Sequence, residues 1–311
     1  MTTGELHPVH PEPDLVQRAA VASVATALVI AGLKLAGALV TGSMALLASL
    51  ADSVADLAAS AITLLSVRIA AQPPDRHHRF GHGKAEALAA IAQGTLVAGA
   101  TLLLAVEAVR RLLEPRPPEV PGVGVSVMLA SMALTVALIA YQRRVVRRTG
   151  SRAIDADSLH YRTDLLSNGV VLAALLAAQA GFPAWLDPLV ALGIAAWLFH
   201  GSWRIVRGAV DELMDRELPP DVRERVLAVV WGFPEVRGVH DLRTRRSGHV
   251  IFVEMHAEFD PDMPLREAHA VTERIETAVR RELPGAVVVI HQEPAGLPHA
   301  KLDRLIARQE G

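Results

Sequence analysis

The sequence contains no cysteine, and this absence excludes disulfides, thiolate metal ligands and cysteine nucleophiles. It also lacks an excess of positive charge, because 31 lysines and arginines stand against 33 acidic residues, for a formal net charge of -2. A nucleic-acid-binding protein usually presents a basic face, so no nucleic-acid partner is expected. Residues 1–14 are polar and proline-rich, without a basic stretch ahead of an apolar run. They predict a disordered tail and no cleavable signal peptide.

Long apolar blocks fill the first two thirds of the 311 residues. Each block is long enough to cross a bilayer, which takes about 20 apolar residues in a helix. The predicted spans are about Leu15–Val40, Met44–Ala70, Ala85–Leu113, Val123–Val145, Ile154–Ala180 and Leu186–Val210. The sequence therefore predicts an all-α, six-span transmembrane domain over residues 15–210, with the lipid bilayer as its surroundings.

Basic residues are distributed unevenly among the short loops between the predicted spans. Five arginines follow span four, and three arginines with Lys84 follow span two, whereas the turns after spans one and five carry none. Three arginines after span three go against this trend. Because basic loops stay on the cytoplasmic side, the balance places both termini in the cytoplasm. The expected location is a bacterial-type inner membrane.

The chain beyond about Asp211 has the pattern of a small soluble domain. Predicted elements there are a helix at Asp221–Trp231, strands at Val239–Arg245 and Val250–Phe259, a helix at Leu265–Leu283 and a strand at Ala286–His291. The order αββαβ predicts an α+β domain over residues 211–296, with its helices on one face of the sheet. Residues 297–311 are expected to form a solvated tail.

Two pairs of ionisable residues stand out inside predicted spans, where such groups are energetically costly and indicate functional sites. Asp52 and Asp56 in span two, and His160 and Asp164 in span five, are each four residues apart and share a helical face. The helical rise places the first pair about 12 and 18 Å below the outer edge of the membrane core. It places the second pair about 11 and 17 Å above the inner edge of a core about 30 Å thick. Three carboxylates and one imidazole can then close the tetrahedron that zinc prefers.

Separate motifs, in order along nearly the whole chain, resemble the cation diffusion facilitator family. They are Gly42–Asp56, Phe80–Glu86, Ala156–Asp164, His240–Arg245 and His291–Pro294. The branch that the chain is most similar to is the bacterial zinc and ferrous-iron efflux proteins. The resemblance implies a dimeric metal–proton antiporter, not an enzyme, with a ferredoxin-like cytoplasmic domain. It also implies that Asp52, Asp56, His160 and Asp164 form the transport site.

A second metal site is expected in the loop between spans two and three. One carboxylate and two histidines, Asp75, His78 and His82, make a plausible ligand set there, and the resemblance assigns a site to these positions. His77 is an extra candidate. The alternative is a solvated, charged loop, because exposed histidine clusters are weak evidence by themselves.

The resemblance implies a third, two-metal site in the soluble domain, near the dimer interface. Its candidate ligands are His240, His256, His269, His291 and Glu293. Glu293 stands where similar proteins carry aspartate, so its carboxylate reaches one methylene further. The resemblance further suggests that Lys84 and Asp215 form an ion-pair interlock between the protomers of a homodimer.

The predicted function is efflux of a divalent metal ion in exchange for protons by alternating access. Zinc is expected first, both as the transported ion and as a structural or regulatory ion, with Fe2+ and Cd2+ as further substrates. An imidazole ligand favours zinc or cadmium, whereas an all-oxygen set would favour manganese, so a manganese-selective transporter remains open. A membrane-anchored metal sensor without transport also remains open. An intramembrane metalloenzyme is disfavoured, because four protein ligands leave no coordination position for water.

Overall fold

The structure is a computed structural model that describes residues 13–41, 44–113, 122–179 and 186–296. The tails predicted at 1–14 and 297–311 lie outside these residues, except that Pro13 and Asp14 begin the first helix. The described residues divide into two compact units, one ending at Val210 and the other beginning at Asp211. Each unit is described by itself below.

Six long helices make up the first unit within the described residues. They are α1 (Pro13–Thr41), α2 (Met44–Ala70), α3 (Ala85–Leu113), α4 (Gly122–Thr149), α5 (Arg152–Gln179) and α6 (Leu186–Leu213). The helices coincide with the six predicted spans, and their ends differ most at α4, which continues to Thr149. Hydropathy marks only the apolar part of α4. The arginines that follow are good helix formers and are favoured near a helix C-terminus.

The outward faces of these helices are apolar. Of the six described helices of the first unit, all except α5 contain an 18-residue window with a mean hydropathy between 1.4 and 2.0, and only 28–39% of each window is buried. Leu39, Leu103 and Leu113 are more than 70% exposed. Apolar surface of this extent requires lipid around it. The first unit is therefore a transmembrane helical bundle.

Helix α5 is polar over its first half, yet it is the helix with the most neighbours around it. It packs against α3 and α4, and also contacts α1 and α2. Small side chains in α1, α3 and α5, such as Ala19, Ala89 and Ala153, are completely or almost completely buried, so the helices approach each other closely. The polar side chains of α5 consequently face protein rather than lipid, and hydropathy alone does not mark α5 as a span.

The second unit has the predicted order αββαβ. It contains α7 (Pro220–Trp231), β1 (Gly238–Ser247), β2 (Val250–Phe259), α8 (Leu265–Glu282) and β3 (Val287–Pro294). In the described sheet, β2 lies in the centre, antiparallel to β1 and parallel to β3. Both helices and the sheet share one apolar core, in which Val226 of α7, Val253 of β2 and Ile275 of α8 are fully buried.

Strand β3 continues beyond its predicted end at His291. Gln292 and Glu293 are polar, so alternation of apolar residues did not indicate a strand there. The parallel pairing with β2 nevertheless extends to the pair Phe259 and Pro294. As a result Glu293 is a strand residue, held in register with β2 rather than carried on a loop.

Gly94 marks a close approach between α3 and α6. A β-carbon at this position would lie 2.6 Å from Cγ2 of Val206, and the Ser202 hydroxyl donates a hydrogen bond to the Gly94 carbonyl. We expect Gly94→Ala to destabilise the protein by about 1–3 kcal/mol, because the added methyl overpacks this contact.

The matched control is Gly99→Ala on the same helix. Within the described residues nothing lies within 4 Å of the β-carbon position of Gly99. Alanine there should be neutral or should stabilise the helix by about 0.5–1 kcal/mol. Thermal unfolding of the purified protein compares the two variants, and equal melting temperatures would show that α3 and α6 are not in tight contact at Gly94.

Candidate metal centres

Helices α2 and α5 bring three of the four predicted membrane ligands together. His160 Nε2 lies 3.1 Å from Asp56 Oδ1 and 3.7 Å from Asp164 Oδ2. One ligand atom from each residue lies within 4.8 Å of the others, close enough for a single ion to contact all three. The side chains are 14–32% exposed, so the cluster is mostly enclosed by protein.

Asp52, the fourth predicted ligand, does not belong to this three-residue cluster. It lies one turn before Asp56 on α2 and is exposed. The spacing of four residues keeps both side chains on the same side of the helix. The fourth coordination position is thus assigned to Asp52 by its helical position alone, and its role as a ligand stays a prediction.

A buried polar network lies one helical turn before His160 and connects five helices. Its centre is Asp157 of α5, which is fully buried. Gln142 Nε2 of α4 donates hydrogen bonds to Asp157 Oδ2 at 2.7 Å and to Ser23 Oγ of α1 at 2.9 Å. Thr63 Oγ1 of α2 donates to Asp157 Oδ1 at 3.5 Å, and Gln93 Nε2 of α3 donates to Thr63 Oγ1 at 3.0 Å. The network fixes α5 against its neighbours beside the metal cluster.

Tyr161, next to His160, adds a second set of contacts at the same level. Its hydroxyl lies 2.8 Å from Ser60 Oγ of α2 and donates to the Ser23 carbonyl of α1 at 3.1 Å. The ring is almost completely buried. Residues on both sides of His160 along α5 are therefore anchored to α1 and α2.

The predicted loop ligands also lie together. His82 Nε2 is 3.1 Å from His78 Nδ1 and 3.4 Å from Asp75 Oδ2, and His78 Nδ1 is 3.4 Å from Asp75 Oδ1. The backbone N–H groups of His78 and His77 donate to Asp75 and lower the pKa of its carboxyl group. The carboxylate is thus ionised and available to a cation. His77 contributes its backbone N–H here, whereas the metal-ligand grouping consists of the other three residues.

In the second unit the strand register aligns three predicted histidine ligands. His240, His256 and His291 are partners across β1, β2 and β3. Glu293 lies among them: its Oε1 is 2.7 Å from His256 Nδ1 and 3.6 Å from His291 Nε2. Its other oxygen, Oε2, is 3.1 Å from His240 Nε2. The two carboxylate oxygens therefore face different histidines.

The sequence did not indicate two acidic residues that lie beside this cluster. Glu258 Oε1 is 3.4 Å from His240 Nε2, and buried Asp241 lies 3.9 Å from His240 Nδ1. Glu258 is two residues after His256 in β2, so strand alternation could have placed both on one face. Asp241 has a positive φ of 52° at an irregularity in the β1–β2 pairing, which alternation does not predict.

The structure does not bring His269 to the histidine cluster. It lies on α8, is largely exposed, and its Nε2 is 3.4 Å from Glu273 Oε1 one turn further on. Its role as a metal ligand stays a prediction. The same holds for the Lys84–Asp215 interlock. Lys84 is half-buried just before α3 in the first unit. Asp215, in the second unit, has a φ of 55° and accepts a hydrogen bond from Arg245 Nη1 at 3.3 Å.

The first unit is a transmembrane helical bundle with a cluster of candidate metal ligands among its helices. The second unit is an α+β domain with a second such cluster. This combination is that of a multi-pass membrane transporter for metal cations. Residues 20–214 match the family model described as the cation efflux transmembrane domain, and residues 218–295 match the cation efflux protein cytoplasmic domain. The chain therefore belongs to the cation efflux, or cation diffusion facilitator, family. The family resemblance is confirmed, and so are the six-helix membrane domain with its cytoplasmic α+β domain and the expectation of a transporter rather than an enzyme.

Curated relatives align over nearly the whole chain. The chain is 42% identical over 283 residues to a protein named cation-efflux pump FieF from Escherichia fergusonii, covering 91% of this chain and 94% of that protein. It is 43% identical over 294 residues to the FieF of Pectobacterium atrosepticum, covering 94% and 98%. Among solved structures, the metal-bound C-terminal domain of the CzcD transporter from Thermotoga maritima is 34% identical. That match covers 25% of this chain and 93% of that domain, with a TM-score of 0.25.

Asp157→Ala tests whether the buried network holds α5 in place. The substitution leaves the donors of Gln142 and Thr63 without their shared acceptor, and a buried unsatisfied polar group costs about 1–3 kcal/mol. We expect a lower melting temperature of the full-length protein in detergent. Asp155→Ala on the same helix is the matched control, because Asp155 is only partly buried. A melting temperature for Asp157→Ala equal to that of the control would contradict the bracing role.

Proposed function

We propose that this protein exports zinc from the cytoplasm across a bacterial inner membrane in exchange for protons, with the Asp56–His160–Asp164 cluster as the core of its transport site. The observation that carries the proposal is the convergence of these three ligands from α2 and α5. Ionisable groups at membrane depth are costly and mark ion pathways. A divalent cation between two carboxylates offsets their mutual repulsion, and the imidazole nitrogen favours zinc or cadmium over harder ions. Ferrous iron fits the same donors.

Metal and protons compete for the same atoms at this site. Metal binding requires deprotonated carboxylates and a neutral imidazole, so loading the site releases protons. His160 Nε2 lies between Asp56 Oδ1 and Asp164 Oδ2, at 3.1 and 3.7 Å. A proton on this nitrogen therefore occupies the space that the cation needs. Because the imidazole must be neutral to bind the cation and can take up a proton when the cation leaves, we assign the role of proton carrier to His160. Asp52 completes the coordination as the fourth ligand.

The direction of transport and the orientation of the termini are inferred from the sequence and from the similar proteins. The basic loops after spans two and four favour cytoplasmic termini. Relatives named cation-efflux pumps, more than 40% identical over nine tenths of the chain, support outward transport. We assign residues 15–210 to the membrane domain and residues 211–296 to the cytoplasmic domain. Alternating access moves the loaded site from the cytoplasmic to the outer side.

The cytoplasmic domain binds regulatory zinc and supports a homodimer. Glu293 favours a two-metal site, because its Oε1 faces His256 and His291 while its Oε2 faces His240. A carboxylate with its two oxygens divided in this way suits a bridge between two ions. The loop cluster of Asp75, His78 and His82 supplies a further binding site on the membrane domain.

Asp164→Ala is expected to abolish zinc flux in proteoliposomes with an imposed pH gradient, reducing it to the level of protein-free vesicles. The substitution removes one of the three converging ligands in the membrane. Asp155→Ala, about two and a half turns away on the same helix, should leave zinc flux at the wild-type level. Flux retained by Asp164→Ala would remove the residue from the transport site. No flux by the wild type, with zinc still bound by the cytoplasmic domain, would favour a membrane-anchored sensor.

Zinc should tighten the dimer of the full-length protein, because a ligand that binds the dimer preferentially stabilises it by mass action. Glu293→Gln should remove this effect, since the amide keeps the size of the side chain but loses its charge. Glu293→Asp, with a shorter carboxylate, should keep it. Sedimentation in detergent with zinc and with chelator measures the dimer constant, and elemental analysis counts the metals. Equal zinc dependence in the wild type and Glu293→Gln would contradict the bridging role.

A further inference from the structure

Lys34 is a charged side chain within an otherwise apolar stretch of α1. From Ala19 to Thr41 it is the single charged residue of that helix. An ammonium group among apolar residues in a membrane needs either protein partners or access to the membrane surface. If Lys34 has protein partners, it can be part of the transport machinery. If it reaches the membrane surface, it only contacts the lipid headgroups.

The hydrogen bonds of Lys34 direct its ammonium group to α2. Nζ donates to Ser53 Oγ at 2.7 Å and to the Ser49 carbonyl at 3.0 Å. By the rise of a helix, Ser49 lies about 8 Å and Ser53 about 14 Å along α2 from its first residue, Met44. Lys34 itself lies about 10 Å from the end of α1 at Thr41. The ammonium group thus stays at the depth of its own backbone and does not extend to the membrane surface.

The partners of Lys34 on α2 belong to the helical stripe that carries the predicted metal ligands. Ser49, Asp52 and Asp56 are three and four residues apart, the spacing of neighbours on one helical face, and Ser53 follows Asp52 directly. Lys34 lies near enough to Asp56, Asp52 and Asp164 for their carboxylates to attract its ammonium group. Its charge is therefore directed at the carboxylates of the transport site.

We propose that Lys34 is the resident counter-charge of the transport site, which lowers the affinity of the site for divalent cations and so allows their release. This role rests on the proposed transport function. The three carboxylates together carry three negative charges when ionised, and Lys34 reduces their net charge to minus two. A divalent cation then brings the loaded site to neutrality, the state with the smallest desolvation penalty in an apolar medium. Without Lys34 the same site would attract the cation more strongly and hold it longer.

The charge and the hydrogen bonds of Lys34 can be separated by substitution. Lys34→Gln keeps hydrogen-bond donors but removes the charge, Lys34→Arg keeps the charge, and Lys34→Met removes both. Arg18→Met is the matched control, because it removes a cation from the same helix more than four turns away. Melting temperatures establish that each variant is folded. If Lys34→Met does not fold, Lys34→Gln tests the role of the charge.

The experiment measures zinc binding to the full-length protein in nanodiscs at constant pH. The zinc binding that the Asp164→Ala variant lacks is assigned to the transport site, and only this part is compared among the variants. Lys34→Gln and Lys34→Met should bind zinc at least tenfold more tightly than the wild type, with slower zinc turnover in proteoliposomes. Lys34→Arg and Arg18→Met should match the wild type.

Two results would overturn the counter-charge role. If Lys34→Gln binds zinc with wild-type affinity, then Lys34 only ties α1 to α2 through its hydrogen bonds. If the uncharged variants bind zinc more weakly, Lys34 supports binding rather than release. Absence of Asp164-dependent binding in the wild type would instead contradict the transport site itself, and the role of Lys34 with it.

Discussion

Charged and polar side chains placed in a membrane must find their partners within the protein, and the membrane domain depends on this constraint. Helix α5 carries the greatest number of such groups and packs against α1, α2, α3 and α4. Asp157 accepts hydrogen bonds from Gln142 and Thr63, and Tyr161 bonds to α1 and α2. His160 lies between these two anchored residues. The same packing that satisfies the polar groups of α5 therefore sets the position of the candidate metal ligands.

The cytoplasmic domain obtains its ligand geometry from strand pairing instead of helix packing. One histidine on each of three adjacent strands falls in register, and Glu293 reaches the site because β3 continues past His291. A strand register is fixed wherever one face of a sheet is buried, and here that face packs on α7 and α8. The apolar core and the candidate ligand cluster thus follow from the same alignment.

The sequence predicted the helices and the αββαβ order, because hydropathy and spacing are local patterns. Its motifs also contain Asp56, His160 and Asp164, which the structure brings together. It did not predict the contacts of Asp157 and Lys34. The partners of Asp157 are 15 residues away in Gln142 and 94 residues away in Thr63, and no local pattern connects them. Lys34 could have been noticed as the one charge in its stretch of α1, but its direction depends on how α1 packs against α2. His269 shows the reverse, since family spacing suggests a ligand that the structure places on an exposed helix.

We propose that a divalent cation binds between α2 and α5 in the membrane, and zinc-loaded protein allows this to be tested. The most direct test is a cryo-electron microscopy map of the zinc-loaded full-length protein in nanodiscs. We expect density for an ion about 2.0–2.2 Å from a carboxylate oxygen of Asp56, a carboxylate oxygen of Asp164 and a nitrogen of His160, with Asp52 turned in as the fourth ligand. Zinc density in the loop and cytoplasmic clusters alone, with none among these residues in a preparation that transports zinc, would contradict it.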